Sequence, residues 1–329
     1  MIKLGLNFNP LRPFVNSGPN VFIKRLSSAL NKNKYFEVKT GLIPNFDVGL
    51  YLIKKGTFDY NKPYFLRNGG IYFDQKNTLG GKEINKKIFS SAENSKGIIF
   101  NSEFCKKLFS SFYNLKNNVP TTVIFNAVSF EDFKFEGENY RNKLGISNND
   151  RVIITSASWR RIKRLEETIE LLNLLNSENN KYKLIVIGKL HKKFDTNPNI
   201  FYVGNVKPKF LPSWYRTGDI YLHLAWIEPN ANTLHEAIAS GLPTICCNNG
   251  GVGETVRACN AGIVSNTDPS YEFNLVDYYN PPKPNYQNLK KDIQEIFNNY
   301  KEFKENINTS PIDINLVSKL YFEFINKNI

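Results

Sequence analysis

The chain has 329 residues, 41% hydrophobic and 14% aromatic, with 43 Lys and Arg against 30 Asp and Glu for a formal net charge of +13. That length suits two domains that each bury a core, and that apolar content excludes wholesale disorder. The four cysteines show neither C-x-x-C spacing nor a secreted disulfide framework, and no signal peptide or membrane span is visible, so a cytoplasmic location is expected.

Short apolar runs alternate with amphipathic segments, the pattern of a parallel α/β architecture. Residues 2–8 read as a first strand. The loop Ser17-Gly18-Pro19-Asn20 then leads into a helix with Val21, Phe22, Leu26 and Leu30 at helical spacing. Strand-like runs follow near 46–53, 62–66, 97–101 and 122–125, and Ser102 reads as a helix cap. Residues 131–149 are charged with little apolar periodicity, as expected for a connection between domains. A second series opens with a strand over 151–158 and a helix with Leu165, Ile169, Leu172 and Leu175 on one face. Strands over 183–188, 200–204, 220–227 and 243–247 continue it. Pro281-Pro-Lys-Pro284 breaks the chain before two closing helices, near 289–303 and 312–326.

The basic excess favours anionic partners: nucleotide diphosphates, acidic glycans or an anionic membrane surface that the protein binds peripherally. Basic residues are scattered and no nucleic-acid-binding motif appears, so nucleic acid is not an expected partner.

The chemistry concentrates between Asp219 and Pro243. An apolar run delivers Glu228 at its carboxyl end; a helix then opens near Asn232 or Thr233, carries Glu236, and stops at Gly241. In an open α/β sheet, ligands sit beyond the carboxyl ends of strands, where helix amino termini point free N–H groups. Backbone amides there can hold a diphosphate while two carboxylates accept hydrogen bonds from sugar hydroxyls. Three further elements converge on this segment. The turn Ser158-Trp-Arg160-Arg-Ile-Lys163-Arg164 offers cations to a diphosphate, or is a solvated basic turn. Gly188 and the Gly204-Asn-Val206 junction line a base pocket, or are ordinary turns. Residues 248–255 are glycine-rich without a dinucleotide fingerprint. Of the histidines, His223 reads as structural, His191 as solvated and His235 as helix packing. No metal-ligand cluster stands out.

Taken in order, residues 152–264 resemble glycosyltransferase family 4, a group of retaining GT-B enzymes. The resemblance rests on the basic turn, Val203-Gly-Asn-Val, Tyr215-Arg-Thr-Gly-Asp219, the E-x7-E pair, Ala237-Ile-Ala-Ser-Gly-Leu-Pro and Gly250-Gly-Val-Gly-Glu254. It implies two Rossmann-like domains with parallel sheets facing across a cleft: 1–133 on the acceptor side and 134–310 holding the nucleotide sugar. The helix 311–329 would cross back onto the first. Carried over, Arg160, Lys163 and Glu228 are the catalytic candidates, the cations on the diphosphate and the carboxylate on the sugar ring. The donor-binding set adds Gly18, Arg164, Gly188, Val206, Asn230, Ala231, the amides of Asn232, Thr233 and Leu234, and Glu236 on the ribose. Asn230-Ala231 stands where the family often has Phe-Gly. The histidine that many members carry in the first domain is missing, and Arg67, Asn68 and Gly69, opening the stretch to Asp74, are the acceptor-side candidates to replace it. The implied activity is retaining transfer of a hexose from a nucleotide-diphosphate sugar, UDP- or GDP-linked first, to a glycan, a lipid-linked or another hydroxyl acceptor. No cofactor beyond that donor is implied. A catalytically silent sugar-nucleotide binder and a nucleotide-sugar epimerase are the alternatives.

Overall fold

The computed structural model describes residues 1–6, 18–40, 45–55, 61–73, 80–116, 118–177 and 181–329. The end of the expected first strand, Ser17 and Asp74 lie outside the described residues.

The N-terminal half runs β1 (Lys3–Leu6), α1 (Gly18–Lys32), β2 (Glu37–Thr40), β3 (Val48–Leu52), β4 (Tyr64–Asn68), α2 (Gly80–Glu93), β5 (Gly97–Phe100), α3 (Glu103–Phe112) and β6 (Thr121–Val123). These strands form a six-stranded parallel sheet in the order β2-β1-β3-β4-β5-β6. The C-terminal half runs β7 (Arg151–Ser156), α4 (Leu165–Leu175), β8 (Tyr182–Ile187), β9 (Ile200–Gly204), α5 (Leu211–Tyr215), β10 (Ile220–His223), α6 (Asn232–Ala239), β11 (Thr244–Cys247), α7 (Val252–Ala258) and β12 (Gly262–Ser265). Three helices follow, α8 (Tyr286–Asn298), α9 (Tyr300–Glu305) and α10 (Ile314–Asn328). The second sheet is also parallel and six-stranded, ordered β12-β11-β10-β7-β8-β9.

Parallel sheets need both faces covered, so their central strands are apolar on both sides. Alternation along β7 and β8 shows this directly. Val152, Ile154 and Ile185 point into a core with Leu234 and Ile238 of α6. Ile153, Leu184 and Val186 point oppositely, against Leu171 and Leu175 of α4 and Leu289 and Ile293 of α8. In the first sheet, α1 buries Phe22, Ile23, Leu26 and Leu30 against Leu4, Val48 and Phe65. Helix α10 brings Val317, Tyr321 and Ile325 into that same core, far from its neighbours in sequence.

Strand order decides where a ligand can sit. From β7 the chain builds β8 and β9 outward on one side, then returns with β10 on the other. The loops after β7 and β10 therefore diverge and leave a crevice between them, the topological switch point of an open sheet. The basic turn follows β7 and Glu228 follows β10.

Two expectations are corrected here. The run 220–227 is strand only as far as His223. Leu224, Ala225, Trp226 and Ile227 are buried yet irregular, with the Trp226 amide donating to the Ile162 carbonyl at 3.0 Å and Ile227 at φ +51°. The expected closing helix over 289–303 is two helices meeting at Asn299.

Candidate active site

Helix α6 begins beside the crevice. The Asn232 and Thr233 amides have no acceptor among the described residues, as first-turn N–H groups do. Leu234 differs: its amide donates to the Ala231 carbonyl at 3.1 Å, so it is not available to a ligand. The helix ends on Gly241 at φ +79°, where Leu242 N–H bonds the Ala237 carbonyl at 3.1 Å and Gly241 N–H that of Ile238 at 2.9 Å. Only a left-handed residue closes a helix this way, which fixes the length of α6 and the position of its amino end.

The two glutamates meet different partners. Glu228 is half-buried and forms an ion pair with Lys163. Burial pushes its carboxyl up, but Lys163, His223 and Arg160 outweigh burial and hold it below the usual range. Arg160 is exposed beside them. Glu236 is 4% exposed; Arg25 Nη2 of α1 donates to its Oε1 at 2.6 Å and the Tyr215 hydroxyl to its Oε2 at 3.2 Å. Gly250, at φ +120°, packs so closely on Glu228 that a Cβ would lie 2.5 Å from its carbonyl oxygen. That approach, with the Gly251 amide donating to the same oxygen at 2.9 Å, fixes the loop that carries Glu228.

The loop after β7 is anchored as firmly. Trp159 Nε1 donates to the Ile187 carbonyl at 2.9 Å, and Gly188, at φ +112°, accommodates the Ala157 carbonyl where a Cβ would come within 1.8 Å. Gly188 thus serves close loop packing. Val206 is half-buried against the second-half core.

Arg164 is removed from the donor-binding set. It has φ +55°, which turns its side chain inward to 0% exposure, where it bonds both carboxylate oxygens of Asp268 at 2.8 and 3.0 Å and the Pro282 carbonyl at 2.8 Å. A guanidinium committed in this way has no face for a diphosphate.

A polar chain links the halves across the crevice. Arg67, 2% exposed at the end of β4, donates to Asn126, with its guanidinium 4.9 Å from the centre of the Phe22 ring. Asn126 donates to Asn232 Oδ1 at 2.9 Å, and Asn232 Nδ2 to the Gly18 carbonyl at 2.7 Å. Three of the expected residues, Arg67, Gly18 and Asn232, therefore form one connected unit, joined by Asn126. Asn230 donates to the Asn101 carbonyl at 2.9 Å, and Ala231 is buried in the second-half core. Asn68 is fully buried and spends its Oδ1 on the Gly70 amide at 2.6 Å, while Gly69 is partly exposed next to Asn101. Several buried polar atoms have no hydrogen-bond partner among the described residues: Arg67 Nε, Asn68 Nδ2, Asn101 Oδ1, Asn230 Oδ1 and His223 Nε2. Buried polar groups left in this way call for a ligand hydroxyl or an ordered water to satisfy them.

Arg25, Tyr215 and Asn126 were not foreseen. Arg25 shows only as a lone arginine on an otherwise apolar helix face, and although Tyr215 opens one of the segments that carry the resemblance, neither it nor Asn126 is singled out there as a site residue. Above Glu228, Trp226 and Ile227 join Phe104 and Leu108 of α3 in an apolar cluster that includes Phe73, Phe273 and Tyr278, with the Phe73 and Tyr278 rings stacked at 5.0 Å. Among the described residues no group of three or more His, Cys, Asp and Glu side chains is placed to hold a metal ion.

Known structures share the fold. Sucrose-phosphate synthase from Thermosynechococcus elongatus superposes with a TM-score of 0.77 at 12% identity, covering 99% of both chains. HepE of Anabaena, solved in complex with UDP and glucose, gives 0.72 at 13% identity over 99% of this chain and all of the other. The fold is GT-B. In sequence, residues 136–273 of this GT-B chain match the family model described as glycosyl transferases group 1. The protein CapJ of Staphylococcus aureus is 24% identical over 210 residues, 60% of this chain and 52% of CapJ, so the chain spans about half the length of that relative. No helix among the described residues is long and apolar enough to cross a membrane.

Proposed function

We propose that the protein is a retaining glycosyltransferase that moves a hexose from a nucleotide-diphosphate sugar, UDP- or GDP-linked, to a hydroxyl on a glycan or lipid-linked acceptor. Residues 1–133, with the returning helix 311–329, form the acceptor side in this reading, and 134–310 the donor side. One observation carries it: Lys163, from the loop after β7, meets Glu228, from the loop after β10, at the switch point, with Glu236 on the helix that follows. The group 1 match over 136–273 and the UDP and glucose bound to a protein of the same fold support it.

In the reaction, the acceptor oxygen bonds to the anomeric carbon on the face from which the diphosphate oxygen departs. The bond to that oxygen breaks, and the acceptor proton passes to the departing phosphate. Lys163 and Arg160 offset the negative charge that develops there, with the Asn232 and Thr233 amides. Glu228 orients the sugar ring, and Glu236 accepts from ribose hydroxyls.

Thermal unfolding with UDP-, GDP-, ADP- and dTDP-sugars tests donor binding. A matched donor at a hundredfold excess over its dissociation constant stabilises by about 2.7 kcal/mol. The gain should vanish in Glu236→Ala, and absence of any shift with all four sugars rejects the reading. With an accepted donor, Lys163→Ala should lower turnover on the order of a hundredfold. NMR of the product anomer checks retention.

A further inference from the structure

A second site lies away from the crevice, on the flank of the first sheet. Between the segment after β3 and helix α2 is a cavity of about 1140 Å³. Lys54, Lys55, Lys62, Lys86, Lys87 and Lys96 line it, and no Asp or Glu is among its described lining residues. Tyr64 and Tyr72 supply aromatic walls, with Lys55 Nζ 5.0 Å from the centre of the Tyr64 ring. Lys86 is paired with Glu83 at 2.8 Å, while Lys54, Lys62 and Lys96 have no carboxylate partner among the described residues.

Scattered surface lysines avoid one another; here they converge on one concavity. The backbone contributes to that. Ile53 sits at φ +69°, and the Lys54 amide donates to the Leu52 carbonyl at 2.7 Å, closing a three-residue turn. A β-branched residue seldom takes a positive φ, and strained turns cluster at functional sites. This one brings Lys54 and Lys55 to the cavity wall, and the Lys55 amide is then tied to Ser91 Oγ of α2 at 2.9 Å. Cations gathered in a concave site focus their field on anions and leave multiple N–H donors for phosphate oxygens.

We propose that this cavity binds a ligand bearing clustered phosphate groups, independently of the donor site. Two sources present that chemistry, a soluble polyphosphorylated molecule or the headgroups of an anionic bilayer. The segment ending at Tyr72 continues to Phe73, which stacks on Tyr278 beside the crevice, so a ligand held here lies next to the acceptor side.

The test compares the full chain with two variants of equal net charge. One carries Lys54→Gln, Lys62→Gln, Lys87→Gln and Lys96→Gln; the other Lys193→Gln, Lys209→Gln, Lys291→Gln and Lys301→Gln, all exposed and all in the second half of the chain. Inorganic tripolyphosphate is titrated calorimetrically, and co-sedimentation is measured with phosphatidylcholine vesicles with and without phosphatidylglycerol, at fixed physiological salt. The cavity variant should bind one or both probes roughly tenfold more weakly, with the second-half variant close to wild type. Tripolyphosphate sensitivity alone assigns a soluble ligand, and vesicle sensitivity alone a bilayer. Equal losses in both variants, or no binding of either probe by wild type, overturns the proposal. Matching thermal unfolding of all three proteins excludes misfolding, and none of these outcomes bears on donor binding.

Discussion

Arg160 and Arg164 stand a single turn apart in one basic segment, yet one is exposed and the other wholly enclosed. Composition identifies both as cations near a strand tip. It does not reveal that positive φ at Arg164 swings that side chain towards Asp268, more than a hundred residues on. The consequence is measurable. Arg164→Ala leaves a buried carboxylate unpaired and should cost about 3–5 kcal/mol in denaturant unfolding, whereas Arg160→Ala should stay within about 0.5 kcal/mol. A mild Arg164→Ala would return that residue to the list of possible ligands. The buried histidines give a second expectation. Burial, then the charge of Lys163, pushes His223 down to about 4; burial, then Arg25, pushes His235 down to about 3. Unfolded histidine takes up its proton near 6.5, so between that pH and about 4 the unfolded chain binds more protons. Stability is therefore lost as pH falls through this window, by up to about 1.4 kcal/mol per pH unit for each histidine. Burial pushes Glu254 and Asp219 up, which acts in the opposite sense, so the readout is the difference between wild type and His223→Gln. Identical slopes would mean that His223 is not held neutral by the fold.

At the scale of elements, periodicity is a good guide wherever a strand lies in the middle of a sheet. Strands β7 and β8 read directly as apolar runs because both of their faces are covered. Edge strand β2 was missed because its residues are only partly buried and show no apolar run. Helix α2 was missed because lysines and serines obscure its apolar face, and β12 because glycine opens it. The run ending at Ile227 misled for the opposite reason: past His223 it stays apolar because Leu224 fills the core of the second half and Trp226 and Ile227 pack on α3 across the crevice, not because these residues extend the sheet. Loops depend on single positions in a way that strands do not. Gly188→Ala puts a methyl within 1.8 Å of the Ala157 carbonyl at a φ that alanine avoids, so the loop after β7 must move. The expected loss is at least about 1–3 kcal/mol of stability, with weaker donor binding because Lys163 travels with that loop. A variant as stable as wild type would show that the loop is not packed on Gly188.

Across the whole molecule, the two halves are joined near the crevice by polar bonds between residues far apart in sequence: Arg25 to Glu236, Asn126 to Asn232, Asn230 to Asn101, and Glu254 to α3. None of these pairings was legible, since each depends on how one sheet is set against the other. The Glu254 contact is the most informative to break. Its Oε1 and Oε2 accept the Phe104 and Glu103 amides, each at 2.7 Å, so a carboxylate from one half satisfies the first N–H groups of a helix in the other. Negative charge at that end also complements the helix dipole. Removing it should cost about 0.5–2 kcal/mol, the range for loss of a helix cap. The local signature separates a junction from a passive surface contact. In Glu254→Ala, amide exchange should speed up at Glu103 and Phe104, while β4 in the core of the first sheet keeps its protection. Unchanged exchange at those two amides would mean that Glu254 does not hold the halves together in solution. Faster exchange throughout both sheets would instead show that this one carboxylate supports the stability of the entire chain.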